Sequence, residues 1–503
     1  MAKKAFLNVF FNLLDQFMVI VYGFLVPQLI IKNFGSEVNG LISSITQFLM
    51  YISLIESGFG VVVRAALYKP LSEQDNYQIC NILYASNKFF KRIAKIFIIY
   101  IIALLIIYPL LINSSFNYLY TISLILIISM SIFAEYYFGL TYRLLLRSDQ
   151  KSYIVSIIQA VSYFICTIFV IVLVKLGFSI HIIKLASSMA FILRPLLQNL
   201  YVRTKYKINF DNVDKSFNLK NKWDGLAQHI ATVIHDNVDI LFLSIFRNLK
   251  EVSVYSVYSL VTTGVNNIMA SFLNGIDSMF GQMIANKQID KLRIKFNIYE
   301  LLYLSITTII FGCTMVLIVP FVTIYTKNVS DINYIRYGFG YLIVIGQYLK
   351  AVREAYNSLT KAAGHFRETM VGAWIECLIN VIVSIILVFK FNLIGVAIGT
   401  IVAMLFRMIE LVNHSNKYIL KQSAKKSLIR IFVSIVELMI IVCVMSKIQN
   451  FIKIGSYFDW LLLAIITFLI STLITLLLNY IFHKKEYDDA IKATANIFKR
   501  RRL

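Results

Sequence analysis

The chain has 503 residues, 59% of them hydrophobic and 15% charged, with a mean hydropathy of +0.74. Twenty glycines and five prolines are too few for a collagenous or loop-rich protein. The net charge of +23 would suit a nucleic-acid binder, but its placement along the chain gives it another role, and no nucleic-acid partner is expected.

Apolar stretches of 18 or more residues recur from end to end, each long enough to cross a hydrocarbon layer of about 30 Å. Backbone facing lipid has to be helical, so the fold class is an all-α polytopic membrane protein. In chain order the expected spans are about fourteen: 6–31, 38–67, 95–113, 118–147, 151–175, 180–202, 223–247, 252–286, 296–325, 332–363, 368–389, 392–418, 427–448 and 457–483. The first is too long for the apolar core of a signal peptide and lacks a small-residue cleavage site, so it reads as a span. The connection 68–94 is amphipathic ("YQICNILYASNKFFKRIAKI") and is expected to lie on the membrane surface.

The five cysteines are scattered and read as small buried apolar residues, and neither they nor the six histidines show metal-ligand spacing. No metal and no cofactor is expected.

Lysines and arginines set the orientation. With the N-terminus inside, the inner segments collect Lys3, Lys4, Lys88, Lys91, Arg92, Arg203, Lys205, Lys207, Lys291, Arg293, Lys425, Lys426, Arg430 and the terminal "KRRR". The loop "NSSFNY" at 113–118 carries none. Both termini should therefore be cytoplasmic, and most of the +23 is topology, with attraction to anionic membrane lipids as a side effect.

The chain also repeats. Glu37-Val38 aligns with Glu251-Val252 and Tyr142 with Tyr356, both at an offset of 214. Lys175 and Lys390, and Arg194 and Arg407, fall within one residue of that offset. Spans 1–6 and 7–12 thus read as copies, and an even number of spans makes the repeat parallel. The expected domains are an N-lobe at 1–202, a cytoplasmic linker at 203–222, a C-lobe at 223–418, two extra helices within 427–483 and a basic cytoplasmic tail at 484–503.

Two six-helix copies plus two helices, with "PQLIIKNFGSEVNGLISSITQFL" between spans 1 and 2 and "IESGFG" in span 2, resemble the Wzx-type polysaccharide flippases of the multidrug/oligosaccharidyl-lipid/polysaccharide exporter superfamily. Glu56-Ser57-Gly58-Phe59 is also similar to an element of that superfamily's lipid II flippases. The resemblance spans nearly the whole chain. It implies two lobes around a central cavity open alternately to each side, in a bacterial cytoplasmic membrane. It implies a polyprenyl-diphosphate-linked oligosaccharide as cargo, of capsule, O-antigen or teichoic-acid type, with the extra helices bordering the lipid's path. A coupling ion (proton or sodium) and the pathway's glycan polymerase and glycosyltransferases are the partners it suggests.

A charge at mid-bilayer costs about 2.5–3.5 kcal/mol on insertion scales, so intramembrane charges face a wet cavity or a partner. Arg194, Lys350 and Arg407 lie near the expected midplane, and Arg64 lies near the inner face. Guanidinium groups bind phosphate oxygens bidentately, so Arg64, Arg194, Lys350 and Arg407 are the candidate substrate-binding residues. Asp15, Glu56, Asp236 and Asp239 are the candidates for coupling or gating. Glu56, Gly60 and Arg64 share one helical stripe, expected to face the cavity near its inner mouth. The competing reading is internal pairing: Lys350 with Glu354, Arg407 with Glu410, His235 with Asp239.

Two other functions compete. A drug or cation antiporter of the same superfamily would usually have twelve spans and an acidic pocket. A membrane-embedded glycan polymerase or transferase would need outer loops rich in catalytic groups, and here their acidic residues (Glu37, Glu251, Asp331, Asp459) are isolated. The chain is therefore expected not to be an enzyme.

Overall fold

A computed structural model describes residues 2–112, 115–206, 208–211, 213–214, 217, 226–273, 276–449 and 454–484, without side chains at 2–6, 54–58, 61, 226–229, 271–273 and 276–278. Each expected span coincides with helix over most of its described residues, and the apolar runs account for the lengths. The first half comprises α1 (Ala2–Phe34), α2 (Ser36–Met50), α3 (Ser53–Glu73), α4 (Asn76–Leu111), α5 (Tyr118–Ala134), α6 (Leu140–Ser148), α7 (Ser152–Lys175) and α8 (Ile180–Lys205). The second half comprises α9 (Leu226–Phe246), α10 (Leu249–Leu273), α11 (Ile276–Ala285), α12 (Ile289–Tyr325), α13 (Tyr337–Ala362), α14 (Phe366–Phe391) and α15 (Leu393–His414), followed by α16 (Lys425–Gln449) and α17 (Tyr457–Phe482). Ten of the described helices, some counted with an adjoining turn, are long and apolar enough to span a membrane. Span 2 is divided between α2 and α3 at Tyr51–Ile52. Span 4 passes through a π-turn at Glu135–Gly139 between α5 and α6.

Local chemistry places the breaks. Gly35, with φ of 88°, turns the chain between α1 and α2. Asp75 caps α4 by accepting from the Gln78 amide at 3.0 Å. Ser456 and Asp459 form a reciprocal capping box on α17. The amphipathic segment expected on the membrane surface is instead the first half of α4, one uninterrupted helix with span 3. Its apolar face (Ile79, Ile82, Leu83, Phe90) is buried in a protein core with Leu67 and Leu145, which holds it off the lipid surface.

Where α4 and α17 run through the expected hydrocarbon, Ile99, Ile102, Ile106 and Leu110, and Leu461, Ile465, Leu469 and Leu473, are exposed. Such continuous apolar surface suits lipid contact. The five cysteines are free; Cys80, Cys166 and Cys377 are buried, whereas Cys443 is exposed on α16.

The chain forms two compact units, Met1–Val254 and Tyr255–Leu503. The division runs through α10, and α9 packs against α2 and α3 in the first unit, with Gln47 on α2 hydrogen-bonded to Asn237 on α9.

Candidate functional site

In the first unit, α1 packs against α7 and α7 against α8. Asn8 ties α1 to the start of α7, donating to Gln150 O at 3.0 Å and accepting from the Tyr153 amide at 2.8 Å. Asn12 accepts from the Ser156 hydroxyl one turn further on. One more turn along α1 places Asp15, which is buried at 7% exposure with Oδ1 unbonded among the described residues.

Facing it electrostatically is Arg194 on α8. The Arg194 guanidinium carbon lies 4.0 Å from the Tyr163 ring centroid and 4.2 Å from that of Phe191. Tyr22 closes the aromatic group, 5.2 Å from Tyr163 and 5.6 Å from Phe191. The rings hold the planar cation by its π-faces and leave its edges available for hydrogen bonds. Two of those edge groups, Nε and Nη2, are buried with no hydrogen-bond partner among the described residues. Pro195 bends α8 at this level, packed against Gly139 of the π-turn so closely that a methyl group there would sit 2.6 Å from the Pro195 Cβ.

Arg147, on α6, joins this group to a second set of charges. It interacts electrostatically with Asp15 on one side and with Arg143, Arg64 and Glu135 on the other. Glu135 is salt-bridged to Arg143 at 2.7 Å across the π-turn. Four arginines, Arg64, Arg143, Arg147 and Arg194, thus stand in one electrostatic group with two carboxylates. The stripe of α3 that carries Gly60 turns toward α6, since a Cβ on Gly60 would lie 3.6 Å from the Leu144 side chain. The Glu56 side chain lies outside the described residues. On α9, His235 and Asp239 lie on the buried face, whereas Asp236 is exposed.

In the second unit the picture differs. Arg407 is buried at 3% exposure and donates to Thr369 O at 2.9 Å and to Glu410 Oε2 at 2.5 Å. Glu376 lies 3.5 Å from its Nε and also binds Arg353. Gly372 makes the room: a Cβ there would lie 2.5 Å from Arg407 Nη1. Arg194 and Arg407, alike in the sequence repeat, therefore differ in state, one stacked with unbonded edges and the other held within an ion-pair network. The pairing expected of Arg407 with Glu410 is present. Glu354 is held by Lys361 at 3.1 Å and by Asn357 at 2.9 Å. Lys350 is half-buried on α13.

Sequence reasoning missed several participants. Arg430 was counted as an inner-loop cation, yet it is buried on α16 and salt-bridged to Glu300 on α12, which also accepts from the Tyr356 hydroxyl. Arg147 was not among the candidates, although its i, i+4 relation to Arg143 is present in the sequence. Tyr163 carried no signal beyond its position in an apolar run.

No family model and no curated protein matches the chain. Solved structures do. A lipid II flippase, MurJ, in an inward closed conformation superposes with a TM-score of 0.67 at 17% identity, over 95% of this chain and 99% of that one. An inward-facing multidrug resistance transporter of the MATE family, in the MOP superfamily, gives 0.59 at 14% identity over 80% of this chain and 93% of that one. A Vibrio cholerae MATE transporter, VcmN, gives 0.57 at 14% identity over 84% and 98%. The chain is a multi-pass membrane protein with the fold these transporters share.

Proposed function

We propose that this chain is a flippase that carries a polyprenyl-diphosphate-linked oligosaccharide from the inner to the outer leaflet of a bacterial cytoplasmic membrane by alternating access. The observation that carries the reading is the first unit's arginine group, with Arg194 stacked on aromatic rings and its Nε and Nη2 unbonded. A diphosphate needs charged, directional donors in a place where water is scarce, and a guanidinium supplies two parallel N–H bonds to phosphate oxygens. Arg64 and Lys350 add charge in this reading, and Arg407 contributes through the field of its network rather than by direct bonding.

The breadth of the flippase likeness, 95% of the chain against 80% and 84% for the two multidrug transporters, supports the same choice. The difference is about the size of the α16–α17 pair. The cargo reading also makes polymerase and glycosyltransferases of a glycan pathway natural partners, and puts both termini in the cytoplasm. A glycan repeat unit with an acidic sugar would draw further on the same cations.

The second reading, a drug or cation antiporter, is favoured by Asp15, a carboxylate with an unbonded oxygen on the first helix. In the flippase reading Asp15, Asp236 and Asp239 are instead sites where a proton or sodium ion couples to the cycle, with Glu56 a gate.

The deciding experiment is reconstitution in liposomes with a fluorescent polyprenyl-diphosphate glycan and, in parallel, a lipophilic cation. Movement of the glycolipid, lost in Arg194→Ala, supports the flippase; movement of the cation alone overturns it. Membrane-impermeant labelling of cysteines introduced at 115–117 tests the orientation, and labelling from the cytoplasmic side would reverse it.

A further inference from the structure

α17 presents a ladder of small and polar residues to its neighbours: Leu463, Thr467, Ser471, Thr475 and Asn479, four residues apart and all buried. That spacing keeps them on one face of the helix. The face packs on α12 and α16. Toward the outer end the seam is apolar, with Val316, Leu317, Ile441, Met445 and Leu463 in one cluster.

Glu437 interrupts this seam. It stands midway along α16, about 18 Å from either end at 1.5 Å per residue, and is 1% exposed. Its Oε1 accepts from Asn479 Nδ2 at 3.1 Å, and the same amide reaches Ser305 Oγ on α12 at 3.3 Å. Its Oε2 is buried and has no hydrogen-bond partner among the described residues. The charged pair Arg430–Glu300 lies about two turns further down α16. Tyr348 on α13 is the titratable group that faces Glu437, and its hydroxyl is committed to Ser434 at 2.8 Å.

One further buried oxygen on this seam is unbonded among the described residues, Thr475 Oγ1, one turn from Asn479, whereas the Thr308 hydroxyl on α12, one turn from Ser305, is engaged by Tyr348. α16 and α17 thus each bring an unsatisfied buried oxygen to this seam, the one on α16 belonging to a carboxyl group. The Thr475 hydroxyl can donate as well as accept, but Glu437 Oε2 meets no donor among the described residues, and an unneutralised carboxylate in an apolar seam is untenable without a cation or a proton. All the ligating atoms on offer are hard oxygens, which suit a small monovalent cation and exclude a soft metal.

We infer that Glu437, against the face of α17 that carries Thr475 and Asn479, is a binding site for one exchangeable small monovalent cation, sodium or a proton, whose occupancy fastens α17 to α12 and α16. The inference is independent of the cargo: it concerns the helix pair outside the twelve-helix repeat and none of the residues assigned to substrate or coupling above. Loading the site closes the seam. Unloading leaves a bare carboxylate that water reaches only when α17 moves away.

The test uses the full chain purified in detergent and treated with N,N′-dicyclohexylcarbodiimide, which modifies protonated carboxyl groups in apolar surroundings. Modification of the Glu437 peptide is measured by mass spectrometry from mildly acidic to mildly alkaline pH, in sodium chloride and in choline chloride of equal strength. A several-fold protection by sodium identifies sodium as the occupant. Labelling that falls with rising pH and ignores sodium identifies the proton. Glu437 that stays unreactive throughout, or reacts without responding to either ion, overturns the site. In parallel, the melting temperature of the wild type should respond to the same ion, with the response lost in Glu437→Gln and weakened in Thr475→Val. An unchanged response in both variants also overturns it. If Glu437→Gln does not accumulate, labelling of the wild type decides alone.

Discussion

Asn39 on α2 and Ser253 on α10 are 214 residues apart and hydrogen-bond directly, Asn39 Nδ2 donating to Ser253 Oγ at 2.8 Å. That separation is the offset of the sequence repeat, so the two are equivalent positions. Beside them Gly40 packs on the backbone of Leu249, and a Cβ on Gly40 would lie 1.7 Å from the Leu249 carbonyl oxygen. Gly40→Ala should therefore lower the melting temperature far more than Asn39→Leu, which removes one hydrogen bond worth about 1 kcal/mol. Equal melting temperatures for the two variants would argue against so close an approach.

Arg194 and Arg407 should behave differently on substitution. Arg194→Ala is expected to keep near-normal membrane levels while losing about ten- to a hundredfold in glycolipid affinity, the equivalent of about 1.5–3 kcal/mol for a charged hydrogen-bond partner. Arg194→Lys keeps the charge but not the fork and should be intermediate. The measurement is complementation of a flippase-deficient strain with protein levels quantified alongside. Normal export by Arg194→Ala at wild-type levels would remove it from the site.

Arg407→Ala leaves Glu410 without its arginine and Glu376 with Arg353 alone, and breaking a buried pair from one side costs about 3–5 kcal/mol. Its defect should appear as loss of folded protein. Gly372→Ala should act in the same direction, because the added carbon collides with the same guanidinium and with Glu410. Thermal unfolding followed by fluorescence-detected gel filtration would register both.

Arg430 and Glu300 form the most deeply buried ion pair described, at 1% and 0% side-chain exposure. Arg430→Met alone should destabilise by about 3–5 kcal/mol, and the double variant Arg430→Met/Glu300→Met should recover much of that loss, because desolvation of the orphaned carboxylate disappears with it. A double variant as unstable as the single would mean that Tyr356 and Asn297, which also bond to the pair, dominate the site.

Asp15→Asn tests coupling. The substitution keeps the size and removes the charge that faces Arg194 and Arg147. Transport driven by an imposed proton or sodium gradient should fall, while equilibrium binding of the glycolipid stays within a few-fold of wild type. Full gradient-driven transport by Asp15→Asn, Asp236→Asn and Asp239→Asn alike would exclude all three from coupling.

The sequence by itself determined where the helices lie, though not every boundary, since span 2 is divided at Tyr51–Ile52 and span 3 extends back through the segment 77–96. Hydropathy and chain length act locally and additively, so a run such as 457–483 becomes α17 whatever its neighbours do. Its repeat offset of 214 is also the separation of the Asn39–Ser253 contact. Tertiary structure decided which charges are spent and which remain available. Arg194 and Arg407 are the same residue at matching places in the repeat, yet two rings hold one and two carboxylates hold the other. Arg430 was an inner-loop cation until Glu300, 130 residues away, was brought beside it. The segment 77–96 looked like a surface helix until a buried core claimed its apolar face. The reason is distance: a side chain's charge state and partners depend on atoms within a few ångströms, and those atoms come from helices remote in the chain.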